Sequence, residues 1–127
     1  LVALGALLRL TAYRALGSLF TYEVVIKDNH SLITAGPYTY VRHPSYTGAA
    51  LLLLGAHLIH FGEGGYVTEC HLADTPLAAC VVTWVCLSVF SVISLFRRCR
   101  IEEAQLREQF GATWEAYCRD VPWRLVP

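Results

Sequence analysis

Residues 76–96 run for 21 positions without an Asp, Glu, Lys or Arg. As a helix this stretch reaches roughly 31 Å, enough to cross a hydrocarbon core of about 30 Å. A second uncharged stretch, residues 45–61, has 17 positions and reaches roughly 25 Å. Inside lipid a segment must satisfy its own backbone N–H and C=O groups, so two such runs predict helices and not an open sheet. The composition agrees: 55% of residues are hydrophobic, 16% are charged, and the mean hydropathy is +0.44. A soluble domain carries about a quarter charged residues. The formal net charge is zero, so no basic face points to nucleic acid. We therefore expect an all-α integral membrane helical bundle, with no β pattern or repeat, as a single domain over residues 1–127. The chain starts at Leu1 and holds no Met, so we expect this domain to be N-terminally incomplete, with more membrane helix upstream.

Charge orders the two spans. Arg42 precedes the first, and Arg97, Arg98 and Arg100 follow the second. The loop between them carries Glu63, Glu69 and Asp74 and no Lys or Arg. Basic residues favour the cytosolic side, so the spans form a transmembrane hairpin with both basic clusters at the cytosolic face. Gly48 and Gly55, with Ala49 and Ala56, recur at i+7 and let a neighbouring helix come close. Pro76 suits a first helical turn. Residues 97–110 read as a helix leaving the membrane, with Gly111 as its C-cap, and Thr113 as the cap of a last short helix. Upstream, a short apolar piece leads into a mixed segment over residues 10–26, and 27–30 form a polar turn. Residues 61–75 read as a Gly-rich loop, and Pro122 and Pro127 close the chain as an extended tail.

The chemistry concentrates where the hairpin brings its ends together. Residues 36–48, GPYTYVRHPSYTG, set an Arg-His pair between aromatic residues at the mouth of an apolar span. Residues 97–103, RRCRIEE, end the other. The five Cys stand at 70, 80, 86, 99 and 118 without a CxxC, which predicts neither a disulfide framework nor a zinc site.

Taken in order, GPYTYVRHPSYTG, two spans and RIEEAQLREQFGATWEAYCRDVPWRLVP resemble the isoprenylcysteine carboxyl methyltransferase family, over about residues 10–127. The resemblance implies a membrane enzyme of the endoplasmic reticulum that uses S-adenosyl-L-methionine. Its substrate would be the C-terminal carboxylate of prenylated cysteine in proteins, with membrane lipid around it. The cofactor region would lie at about residues 36–48 and 97–127, on the cytosolic side. Matched residue by residue, the resemblance makes Arg42, Arg98 and Glu103 catalytic candidates. Tyr40, His43, Tyr46, Gly48 and Glu102 would line the cofactor site, and no metal is implied.

Elementary chemistry is compatible with that assignment. A C-terminal carboxylate has a pKa of about 3.3–3.7, so it is ionised at neutral pH and needs no general base. It needs alignment and a cation, which an Arg fork supplies. Each feature also has a plainer reading. Arg97 and Arg100 read as topogenic charges. Arg98 and Glu102 are spaced as an i,i+4 helix pair, and Tyr38 and Tyr40 read equally as interfacial aromatics. His57 and His60 read as hydrogen-bonded within the bundle, and Trp114 and Tyr117 as packing. Two alternative functions stay open: a membrane methyltransferase for a lipid amine or other small apolar acceptor, and a truncated, non-catalytic relative. An amine acceptor must lose a proton, for which His43 or Glu103 would serve as base.

Overall fold

The computed structural model describes residues 1–17 and 32–126. Every regular element among them is helical. The helices are α1 (Val2–Leu16), α2 (Pro44–Phe61), a single turn α3 (Tyr66–Glu69), α4 (Ala78–Phe110) and α5 (Ala112–Asp120). Short 3-10 turns at Gly36–Thr39 and Leu72–Asp74 join them. The expected polar turn at 27–30 and most of the mixed segment lie outside the described residues.

Helix α1 is built from Ala and Leu, strong helix formers, and runs through residue 10, where the apolar piece was expected to give way to another segment. It packs along α2, and glycine makes the approach possible. A Cβ on Gly48 would stand 2.7 Å from the Gly5 carbonyl oxygen and 2.7 Å from Cγ of Arg9. One on Gly55 would stand 2.7 Å from Cγ2 of Val2. The small-residue stripe of α2 is therefore the α1 contact. Ala12 of α1 is fully buried, and Arg9 donates from Nη1 to the Ser45 carbonyl at 3.2 Å.

Helix α2 begins at Pro44, with fixed φ and no N–H to leave unsatisfied. The segment expected as a plain loop holds α3 and the 3-10 turn, with His71 left-handed between them at φ 47. Pro76 does not sit in the first turn of α4. That helix starts at Ala78, and Thr75 Oγ1 instead accepts the Leu77 N–H at 3.2 Å.

Helix α4 continues unbroken for 33 residues, about 50 Å. Among the described residues it is the one helix long and apolar enough to cross a membrane. Its apolar side chains are bare: Val82, Leu87, Val89, Phe90, Ile93 and Phe96 are all exposed. A soluble core helix would bury such a surface, whereas lipid solvates it. Helix α2 meets this helix far less than it meets α1. At one end the rings of His57 and His60 lie 6.2 and 6.1 Å from Trp84, and His57 Nδ1 is 2.9 Å from the Leu53 carbonyl.

Gly111, at φ 47, ends α4 and receives its last turn through an N–H to the Arg107 carbonyl. The same glycine caps α5, which starts at Ala112, so Thr113 lies inside the helix and caps nothing. Trp114 and Tyr117 of α5, with Val121 just after it, are buried against Leu32, Leu106 and Phe110. The Tyr117 hydroxyl donates to the Tyr38 carbonyl at 2.8 Å. The chain then returns over the start of α2: the N–H groups of Arg42 and His43 donate to the carbonyls of Trp123 and Arg124 at 3.0 and 2.9 Å.

The α1–α2 crossing has a direct test. Gly48→Val overpacks it and should cost about 1–3 kcal/mol, whereas Ala50→Val, on the exposed side of the same helix, should stay within about 0.5 kcal/mol. Thermal unfolding in detergent separates the two.

Candidate active site

Glu103 sits on α4 just beyond the apolar length, with its side chain 10% exposed. A carboxylate that deep needs charged or hydrogen-bonding partners. Three cations provide them. Oε1 lies 3.4 Å from Arg42 Nε and 3.4 Å from His43 Nε2. Oε2 lies 2.9 Å from Arg124 Nη2. Glu102, one residue earlier, reaches His43 Nδ1 at 3.5 Å through Oε2, and its Oε1 accepts the Tyr46 hydroxyl. His43 is thus held at both ring nitrogens between two glutamates, and its ring stacks on Tyr46 with centroids 5.6 Å apart.

The titration of these groups follows from that packing. Burial alone would favour a neutral His43, but the hydrogen bonds and charges of Glu102 and Glu103 outweigh it and raise its pKa above 6.5. Burial would raise the Glu103 pKa, but His43, Arg42 and Arg124 together hold it below 4.5. The packing therefore favours an imidazolium facing a carboxylate. Burial, with Glu102 and Glu103 adding to it, pushes the Cys99 thiol up to about 12, so Cys99 stays a thiol.

Arg42 is fixed from several sides. Nη1 donates to Cys118 Sγ at 2.8 Å and Nη2 to the Pro122 carbonyl at 3.2 Å. Its Nε is buried and, beyond the 3.4 Å approach to Glu103, makes no hydrogen bond among the described residues. A guanidinium has five N–H donors, so the fork retains capacity for an incoming acceptor.

The structure thus gathers Arg42, His43, Tyr46, Glu102 and Glu103 into one cluster. Arg98 is one turn back on α4, near enough for its charge to act on Tyr46. Tyr40 stands apart, 72% exposed. Gly48 faces Gly5 and Arg9 of α1. Three contributors escaped the sequence reading: Arg124, Cys118 and the carbonyl of Pro122. Pro122 does signal the end of α5, but no local pattern says that the tail then folds back to pair with residues 42 and 43.

A membrane-associated helical protein with a largely buried charged cluster just beyond the apolar length of its long helix is the class these features define. The sequence profile of the isoprenylcysteine carboxyl methyltransferase family matches residues 1–108, and the chain belongs to that family. It is 34% identical over 95% of its length to protein-S-isoprenylcysteine O-methyltransferase of Schizosaccharomyces pombe, covering 44% of that protein. It is 32% identical over 95% of its length to a probable protein-S-isoprenylcysteine O-methyltransferase of Oryza sativa subsp. indica, covering 55%. A Delta(14)-sterol reductase of Septoria lycopersici shares 30% identity over 76% of the chain, covering 20% of the reductase. The chain spans about half the length of the methyltransferases it matches. No solved structure matches it.

The His43–Glu103 pair predicts a stability window. His43, with its pKa raised, contributes fully below pH 6.5, and the contribution is lost as pH rises through the folded value. Glu103, with its pKa lowered, contributes above pH 4.5, and the contribution is lost as pH falls through the folded value. Stability from this pair is greatest between 4.5 and 6.5. His43→Gln should lower stability at pH 6 by about 1–3 kcal/mol and abolish this pair's alkaline loss, as read from melting temperature against pH.

Proposed function

We propose that the protein containing this chain transfers a methyl group from S-adenosyl-L-methionine to the C-terminal carboxylate of a prenylated cysteine. The supporting observation is the meeting of the RHPSY segment with the paired glutamates of α4. Residues some 60 positions apart share one carboxylate, His43 Nε2 and Glu103 Oε1 at 3.4 Å. The family membership points the same way, as do the protein-S-isoprenylcysteine O-methyltransferases among its relatives.

The donor set suits such a cofactor. S-adenosyl-L-methionine carries an ammonium, a carboxylate and a cationic sulfur. Glu102, with its side chain 25% exposed, offers a carboxylate to a cation or a hydroxyl, and the His43–Tyr46 stack offers aromatic faces. The buried Arg42 Nε faces the Glu103 carboxylate at 3.4 Å, which sets the guanidinium for an incoming anion at its outer N–H groups. When bound, the cofactor supplies an electrophilic methyl group on a positively charged sulfur.

The protein's own residues then align the acceptor. The prenylcysteine carboxylate arrives ionised, and no proton needs to be removed. Arg42 holds it through the remaining N–H groups of its fork, a planar match to a carboxylate. Glu103 orients Arg42, and His43, whose charged form the two glutamates favour, offsets their negative charge toward the acceptor. Arg98 adds positive charge from the same end of α4. The prenyl chain lies in lipid against the bare apolar side chains of α4, among them Ile93 and Phe96. In this reading α2 and α4 form the transmembrane hairpin, residues 36–48 and 97–127 form a cytosolic cofactor region, and the membrane is that of the endoplasmic reticulum.

The test uses the full-length protein in membranes, radiolabelled S-adenosyl-L-methionine and N-acetyl-S-farnesylcysteine, and counts base-labile methyl ester. Wild type should form ester. Arg42→Ala should lose about 100-fold or more, the scale of a misplaced reacting group, whereas correctly inserted Arg97→Ala should turn over near the wild-type rate. Cofactor binding without ester would indicate a lipid amine or another apolar acceptor, and absence of cofactor binding a non-catalytic protein.

A further inference from the structure

The family profile ends at residue 108, yet the charged cluster does not. The tail after α5 crosses the start of α2 and makes four separate contacts there. Its carbonyls at Trp123 and Arg124 accept the N–H groups of Arg42 and His43. The Pro122 carbonyl accepts Arg42 Nη2, and the Leu125 carbonyl accepts the Thr47 hydroxyl. These bonds fix the backbone of residue 124 beside Glu103. From there Arg124 reaches Oε2, the oxygen that Arg42 and His43 leave free, at 2.9 Å.

We infer that Arg124 is a positioning residue for the methyl transfer, clamping Glu103 from the solvent side so that its other oxygen stays on Arg42 and His43. The inference rests on the methyltransferase reading. Geometry carries it. A carboxylate held at one oxygen can rotate about its last bond; held at both, from opposite sides, it cannot. Arg124 is the right residue to close the set, because its stem is anchored by the paired tail and its head group, 56% exposed, remains at the surface. A lysine would keep the charge but not the planar fork.

The role has an electrostatic signature. Glu103 faces Arg42 and His43 from the segment before α2, Arg124 from the tail, and Glu102 and Cys99 on its own helix, while Tyr46 and Arg98 stand on the Glu102 side. Arg124 is among the charges that hold the Glu103 pKa down. Removing it leaves the site more negative, so Glu103 and His43 should both titrate at higher pH. A tail that merely supported the fold would lower activity at every pH without displacing the profile.

The experiment compares wild type, Arg124→Gln, Arg124→Lys and Arg119→Gln in the full-length protein. Arg119 is exposed on α5 and removes an equal charge from outside the cluster. Methyl ester formation is followed against pH, with S-adenosylhomocysteine binding and thermal melting measured on the same preparations. In Arg124→Gln we expect kcat/KM to fall about tenfold, as for loss of one fixed charged contact, and the pH profile to move up by about half a unit, the scale of a half-exposed ion pair. Arg124→Lys should restore the profile but only part of the rate, and Arg119→Gln should match wild type. An active wild type with an undisplaced profile in Arg124→Gln overturns the inference alone. So does an Arg119→Gln profile displaced equally. A wild type that neither forms ester nor binds S-adenosylhomocysteine overturns the methyltransferase reading and the inference with it.

Discussion

The carboxylate of Glu103 is the group on which the arrangement of this chain depends. A charge that is nine-tenths buried is tolerable only where opposite charges come to it. The partners come from separate parts of the chain. Arg42 and His43 lie just ahead of α2, and Arg124 lies beyond α5. Satisfying one side chain therefore requires the loop before α2, the exit of α4 and the tail to meet at one place. The Trp114–Tyr117–Val121 cluster supplies the apolar part of the same junction, and Tyr117 ties it to the 3-10 turn through the Tyr38 carbonyl.

The two long contacts of α2 are of different kinds. Against α1 it packs by absence of side chain, with Gly48 and Gly55 letting backbone approach backbone. Against α4 it is held at its ends, by the charged cluster at one and by His57, His60 and Trp84 at the other. Glycine contacts give close dispersion packing, which lipid does not replace. End contacts leave the middle of α4 apolar and uncovered. That division lets one helix serve as scaffold while the other keeps a lipid-facing length leading to the cluster.

What the sequence made legible, and what it did not, follows from how local each signal is. The RHPSY and paired-glutamate motifs are short, and two uncharged runs joined by an acidic loop place them at the same end of the expected hairpin, so the meeting of Arg42, His43, Tyr46, Glu102 and Glu103 could be read in advance. Gly48 carried two signals at once, motif membership and the i+7 small-residue stripe, and the structure assigns it to the α1 contact. Tyr40 and Tyr46 look alike in sequence, but Tyr40 belongs to the loop and Tyr46 to the first turn of α2, so one stands in solvent and the other on Glu102. Pro76 and Thr113 have the right residue types for helix starts, yet α4 begins only at Ala78, after Leu77, and Gly111 caps α5. Arg124 could not be read at all, because an extended tail pairing with a segment 81 positions earlier leaves no periodicity.

The charge balance of the cluster bears on the proposed acceptor. With His43 protonated, three cations, Arg42, His43 and Arg124, face two carboxylates, Glu102 and Glu103, and leave one net positive charge. With His43 neutral the balance is zero. An anionic acceptor entering beside Arg42 would therefore favour the protonated imidazole, and by linkage its binding would take up a proton as pH rises through the His43 value. An acceptor amine would meet the opposite condition. It would have to arrive neutral or give up a proton beside two arginines, and both ring nitrogens of His43 already face glutamates, so the imidazole is poorly placed to receive one. The same imidazolium that makes Glu103 tolerable in the interior thus favours a carboxylate acceptor over an amine.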